Sequence, residues 1–180
     1  MAELCRFQFT NGTTRILLVL NGRFSIPSSC TLICPPTKPQ CMAVESYTLS
    51  VRTRREGEIV DITDRVQDVL GKAKPTDGVA FLFVPGSTGA LTTIEYEPGL
   101  ISDFPAALER LAPKDLPYEH EKRWHDGNGH SHVRASLLGP DLSVPFQKRK
   151  LLLGTWQQIV FVELDVRPRD RTIIVQLIGE

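Results

Sequence analysis

Hydrophobic positions alternate with polar ones in some stretches of this chain, recur at helical spacing in others, and run unbroken in a third kind. From Met42 the residues read Met-Ala-Val-Glu-Ser-Tyr-Thr-Leu-Ser-Val-Arg-Thr, where Tyr47, Leu49 and Val51 alternate with polar neighbours and predict a half-buried strand. Ile62-Thr63-Asp64 leads into a short amphipathic helix, with Asp64 as its cap, Gln67 three residues on, and Val66, Val69 and Leu70 on the apolar face. Residues 78–84 form an unbroken apolar run that reads as a buried strand; Pro85-Gly86-Ser87-Thr88-Gly89 stops it, and residues 90–95 return as a second strand. Glu97-Pro98-Gly99 predicts a turn. Residues 100–111 then read as a helix with Phe104, Ala107, Leu108 and Leu111 inward and Pro105 near its first turn.

The polar stretch 113–129 predicts loop, and residues 131–138, closed by Gly139, a short helix with a glycine stop. Three strands finish the chain: 142–146, 151–164 with a bend at Gly154, and 171–178, the last two joined through Arg167-Pro168-Arg169-Asp170 as a hairpin. Strands grouped at both ends, with no internal repeat, define an α+β fold of mainly antiparallel sheet with a few short helices.

Composition changes the picture at one place. All four cysteines, Cys5, Cys30, Cys34 and Cys41, lie in the first 41 residues, together with Thr, Asn, Gly and Ser clusters and Pro35-Pro36; from Met42 onward there are 17 basic and 20 acidic residues. Residues 42–180 are expected to form a single domain. Residues 1–41 are expected to be a non-core extension, either an upstream over-reading of the start site or a flexible arm or weak targeting segment. The cysteine spacings of four and seven lack the paired pattern of a zinc ribbon. With Lys+Arg 21 against Asp+Glu 21 and no continuous basic stripe, nucleic acid is not an expected partner. The longest apolar candidate, residues 16–20, is far short of a membrane span, so a soluble, cytoplasmic protein with no membrane partner is expected.

Candidate chemistry gathers in four places. The loop from Gly86 to Glu95 is rich in Gly, Ser and Thr, and its backbone N–H groups suit either a simple turn or a cradle for phosphate oxygens. Gln157 in Leu153-Gly154-Thr155-Trp156-Gln157 reads as a buried core amide or as a ligand contact. Tyr118-Glu119-His120 and Asn128-Gly129-His130-Ser131-His132 carry three of the four histidines, all of which fall between positions 120 and 132. Neutral imidazole is the usual ligand of zinc and similar ions. His130 and His132 would share a face in an extended segment and diverge in a helical one.

Taken together, residues 45–180 resemble the YjbQ-like family. The matching features are Ile62-Thr63, the loop ending in Thr88 with Glu95 beyond, Asp103, Tyr118-Glu119-His120, His132 before Leu137-Leu138-Gly139, Gly154-Thr155-Trp156-Gln157, Glu163, Arg171 and Gly179. The resemblance implies a sandwich-like α+β subunit assembled as a homotrimer, with a histidine site near a subunit boundary. It also implies an activity of the secondary thiamine-phosphate synthase type, which joins a hydroxymethylpyrimidine diphosphate to a thiazole phosphate with loss of pyrophosphate. In that reading Glu95 and Asp103 hold Mg²⁺, Ser87, Thr88 and Arg134 meet phosphate, and Gln157 orients the pyrimidine; Asp103 and Arg134 also fit a surface pair or helix cap.

The family commonly opens its loop motif with a histidine, where this chain has Gly86-Ser87-Thr88. His130 is the expected replacement, giving His120, His130 and His132 as the ligands of a divalent ion, zinc or magnesium, with His125 outside the site. The expected partner is a small phosphorylated metabolite. Two other classes fit the same residues: a small metal-dependent hydrolase, or a non-catalytic trimer that binds a metal or phosphorylated metabolite. Trp156, Ile159, Phe161, Val162 and Leu164 offer more apolar surface than one subunit easily covers, which also favours oligomerisation.

Overall fold

The computed structural model describes the backbone of residues 3–8 and 14–19 and all of residues 42–180. The chain divides into two compact units, Met1–Gln40 and Cys41–Glu180. In the first, β1 (Glu3–Gln8) and β2 (Thr14–Val19) pair antiparallel. The cysteines other than Cys5 lie outside the described residues.

The second unit is built from two antiparallel sheets. β3 (Ala43–Arg52) is the predicted alternating strand, and its inward residues Leu49 and Val51 are buried. β4 (Ile59–Asp61) leads into α1 (Thr63–Lys72), whose apolar residues Val66, Val69 and Leu70 are all buried. The helix begins one residue before Asp64, so Asp64 sits in its first turn; the entry is held by Asp61, whose Oδ1 accepts from Thr63 N at 2.8 Å and Thr63 Oγ1 at 2.6 Å. β5 (Gly78–Phe83) and β6 (Gly89–Ile94) follow.

Glu97-Pro98-Gly99 is a helix start and not a free turn. The Glu97 carboxylate accepts from Gly99 N and Leu100 N and caps α2 (Pro98–Leu111), with Pro98 in the first turn. A short helix α3 (Glu121–Trp124) interrupts the predicted loop, and α4 (Gly129–Leu138) ends at Gly139, whose φ of 94° explains the glycine stop.

The predicted strand 151–164 is two strands in different sheets. β7 (Asp141–Gln147) and β8 (Lys150–Leu151) complete a five-stranded sheet of order β3-β10-β5-β7-β8, with β10 running Asp170–Gly179. β9 (Gln158–Glu163) is the centre of a three-stranded sheet of order β4-β9-β6. Its unbroken apolar run is explained by burial on both faces. Ile159 and Phe161 pack with α1 and the five-stranded sheet, whereas Val160 and Val162 pack with Leu108 of α2 and Ala135 of α4. Ile159, Phe161, Val162 and Leu164 are therefore covered within the subunit, and of the apolar set expected to drive association only Trp156 is exposed, at 69%.

The outer face of the five-stranded sheet carries exposed and half-exposed apolar residues among polar ones. Val44, Ile178 and Val79 stand in one cross-strand row, Ile174 and Phe83 in another, and the rings of Phe81 and Phe83 stack at 6.5 Å. Among the described residues no helix is long and apolar enough to cross a membrane.

Candidate functional site

The histidine segment is held against the three-stranded sheet by a compact polar anchor. α4 makes its first turn at Gly129, where an added Cβ would lie 2.5 Å from Tyr118 Cβ, so only glycine lets the tyrosine approach the helix. The Glu121 carboxylate accepts from Gly127 N and Gly129 N, each at 2.7 Å, and these backbone donors, Gly129 first, hold its pKa below the usual carboxylate value. The loop 113–129 is thereby tied at both ends.

Inside this anchor His130 is 1% exposed, and its Nε2 lies 2.6 Å from Glu56 Oε1. Glu56 also accepts from Lys114 Nζ at 2.7 Å. Burial pushes the Glu56 carboxyl up, but its hydrogen bonds with Lys114 and His130 outweigh that and leave it below its ordinary value. Arg134 is turned inward as well, its Nε and a terminal nitrogen donating to Ala112 O at 3.0 and 2.8 Å and a further bond reaching Glu109. Its guanidinium is occupied by protein acceptors, which removes it from the expected phosphate-binding set.

His132 points elsewhere. Two residues apart on an α-helix are separated by about 200° of rotation, so His130 and His132 cannot face one ligand. The expected triad is corrected here to a pair: the rings of His120 and His132 lie 4.3 Å apart, centroid to centroid, at 42°. His120 Nε2 is 3.7 Å from Asp126 Oδ1, and both atoms are buried without a hydrogen-bond partner, as is Asn128 Oδ1. Such orphaned groups cost free energy unless something fills the space between them. Burial, followed by the neighbouring His120, pushes the His132 pKa down; Asp126, Asp165 and Glu121 oppose this but do not overcome it. The shift favours the neutral ring, the form in which imidazole ligates a metal. Among the described residues no three His, Cys, Asp or Glu side chains are arranged so that they could hold a metal ion. The isolated chain thus presents a histidine pair and a nearby carboxylate, not a finished three-donor cage. His125 is exposed, at a left-handed φ of 53° just after α3.

The charge of Asp165 reaches His132 from the adjacent end of the three-stranded sheet, where a second polar group is packed. Asp165 Oδ2 accepts from Thr88 Oγ1 at 3.1 Å and Arg169 Nε at 2.9 Å; Thr88 Oγ1 in turn accepts from an Arg171 nitrogen at 2.9 Å. Arg171 Nε also donates at 2.9 Å to Glu163, which is fully buried. Burial raises the Asp165 pKa, but the bonds from Arg169 and Thr88 bring it below its ordinary value. Thr88 thus shapes the loop from within, while Ser87 is its exposed hydroxyl.

Two further expected residues, Glu95 and Gln157, lie at the opposite end of the three-stranded sheet. Glu95 follows β6, and Gln157 precedes β9 in an exposed turn, its Oε1 accepting from Gly154 N at 2.8 Å. Gln157 is neither in a strand nor buried. From Thr88 to Glu95 the extended chain covers about 23 Å. Asp103 is exposed on α2. Within one chain, Glu95 and Gln157 do not join the histidine pair. Glu56, Asp126 and Asp165 went unnoticed in the sequence because no local pattern marks a carboxylate whose partner comes from another element.

An α+β subunit of two antiparallel sheets, with a histidine pair on a tethered loop and helix, is the class that this geometry defines. The chain belongs to the family described as UPF0047 protein YjbQ-like, whose model matches residues 47–180. A UPF0047 protein of Archaeoglobus fulgidus is 39% identical over 128 residues, covering 71% of this chain and 97% of that protein. The UPF0047 protein YugU of Bacillus subtilis is 33% identical, covering 73% and 98%. The crystal structure of a protein of unknown function from Sulfolobus solfataricus superposes with a TM-score of 0.74 at 35% identity, covering 78% of this chain and all of that one.

Proposed function

We propose that His120 and His132, with Asp126 as the nearest carboxylate, bind a divalent metal ion, and that the site acts on a small phosphorylated metabolite as a transferase of the secondary thiamine-phosphate synthase type. The observation that carries this reading is the pairing of His120 Nε2 with Asp126 Oδ1 at 3.7 Å, both buried and both without partners, beside the His132 ring. Imidazole donors suit zinc better than magnesium. Such an ion supplies charge neutralisation for the oxygens of a diphosphate leaving group. This chain's own part is to place donors: the exposed Ser87 hydroxyl and the backbone N–H groups of its loop are available to phosphate oxygens, while Thr88, Asp165 and Arg171 fix the loop's shape. The half-exposed apolar face with Val44, Val79, Phe81 and Phe83 supports assembly as a homotrimer.

A second reading, a binding protein without catalysis, is favoured by the separation of Glu95 and Gln157 from the histidine pair in one chain. Complementation of a thiamine-auxotrophic strain separates the two. Growth restored by the parent and lost with His132→Ala supports the transferase; no growth from a protein that still binds one ion per chain supports the binder.

A further inference from the structure

Asparagine is among the best helix caps, because its side-chain oxygen accepts from an N–H of the first turn, and Asn128 stands at the N-cap of α4. It does not cap. The Glu121 carboxylate reaches the helix start in its place, accepting from Gly129 N at 2.7 Å. Asn128 is only 7% exposed, and its Oδ1 is buried with no hydrogen-bond partner among the described residues. An amide oxygen that has given up both water and its cap lowers stability. The Asn128 carbonyl accepts from His132 N at 3.2 Å, closing the first turn of α4, so the two side chains stand four residues apart along one side of the helix. His132 is the ring that lies 4.3 Å from His120, and Asp126, just before Asn128 in the chain, has its own orphaned oxygen 3.7 Å from His120 Nε2. Every buried side-chain nitrogen or oxygen left without a partner among the described residues therefore belongs to this one short stretch of chain.

We propose that Asn128 is a further ligand of the ion held by His120 and His132, its Oδ1 supplying an uncharged oxygen donor, and that it widens the site's selectivity from zinc toward harder ions such as Mn²⁺. The assignment rests on the reading of His120 and His132 as a metal pair. Two imidazoles and Asp126 do not make a three-donor cage by themselves, and the amide oxygen adds the donor that the carboxylates and histidines lack. Imidazole nitrogen suits zinc and its neighbours, whereas carboxylate and carbonyl oxygens suit manganese, so a mixed set of nitrogen and oxygen donors accepts both. The absence of charge on the amide matters as well. With Asp126 as the one carboxylate, a divalent ion keeps net positive charge toward an anionic ligand, which a second carboxylate at position 128 would cancel. The missing cap is then explained: the side chain is held for the ion at the expense of the helix start.

The test uses the full chain, freed of metal by chelator and titrated by calorimetry with Zn²⁺ and, separately, with Mn²⁺. Asn128→Leu keeps the branched shape of the side chain without its oxygen. It is expected to weaken Mn²⁺ binding at least about tenfold and Zn²⁺ binding by less, so that the ratio of the two affinities shifts toward zinc. Asn128→Asp, which keeps an oxygen donor, is expected to bind both ions. The melting temperature of the ion-free Asn128→Leu protein is expected to equal or exceed that of the parent, because an orphaned buried oxygen has been removed. An Asn128→Leu protein that binds both ions as the parent does overturns the proposal and leaves the histidine pair standing as a metal site. A lower ion-free melting temperature with an unchanged ratio of affinities marks Asn128 as structural and also overturns it. If the parent binds neither ion, the metal reading and this proposal fail together.

Discussion

Two polar clusters hang on the same helix, and they are built to opposite specifications. In the first, His130, Arg134 and Glu56 are buried or nearly so, and each is occupied by a protein partner: Glu56 for His130, Ala112 O and Glu109 for Arg134, Lys114 for Glu56. In the second, two residues along the helix, His132 meets His120 beside Asp126, and buried nitrogen and oxygen atoms are left without partners. A satisfied network fixes architecture, and an unsatisfied one in a tied-down frame is where a ligand contributes the missing bonds. Histidine content alone therefore misleads; what separates His130 from His132 is which atoms already accept or donate.

That contrast breaks most visibly at Arg134. Arg134→Ala leaves Glu109 and the Ala112 carbonyl without their charged donor, and about 3 kcal/mol of stability is expected to be lost. Urea denaturation at pH 7 measures it, and a loss under about 1 kcal/mol would mean the anchor is not structural.

Glu56→Gln is expected to cost about 1.5–3 kcal/mol at pH 7, since it weakens charge-assisted bonds to His130 and Lys114. The sign of its pH dependence follows from a folded-state pKa below the unfolded one. Stability from the ionised carboxylate is present above about pH 4.3, the unfolded value, and disappears as pH falls through the folded value. Stability curves of parent and variant should thus converge in acid; a constant gap down to pH 3 would contradict the assignment.

Smaller effects sharpen the other side of the comparison. His120→Ala and His132→Ala remove side chains from an unsatisfied cluster, and in chelator-treated protein each is expected to change stability by less than about 1 kcal/mol. Thermal unfolding with and without chelator reads this directly. The smallest effect is expected from deleting residues 1–41. The unit Cys41–Glu180 has hydrophobic clusters of its own, so the shortened chain should melt within a few degrees of the parent, and loss of folded protein would refute it.

Much of the fold was legible because local pattern and burial coincide. The alternation of Tyr47, Leu49 and Val51 marks β3, and Gly139 marks the end of α4. The run at 151–164 was misread as one strand because hydrophobicity does not say which sheet a residue joins. Leu151 closes the five-stranded sheet, and Ile159 to Val162 fill the other on both faces. Helix starts were missed by one or two residues where the cap is a carboxylate reaching forward, as Asp61 and Glu97 do.

The site was legible in its residue types more than in its grouping. The rings of His120 and His132 lie together, whereas a spacing of two between His130 and His132 has opposite meanings in a strand and a helix, and the helix decides it. Asp126 carries no signal of its own, since its place beside His120 depends on α3 and the left-handed turn at His125.

Isothermal titration of the chelator-treated protein with Zn²⁺, alongside His120→Ala, His130→Ala and His132→Ala, tests the central claim most directly. One ion per chain is expected, with affinity reduced at least tenfold by His120→Ala and by His132→Ala and retained in whatever His130→Ala protein remains folded. No binding to the parent, or equal binding by the parent and His132→Ala, would contradict the account.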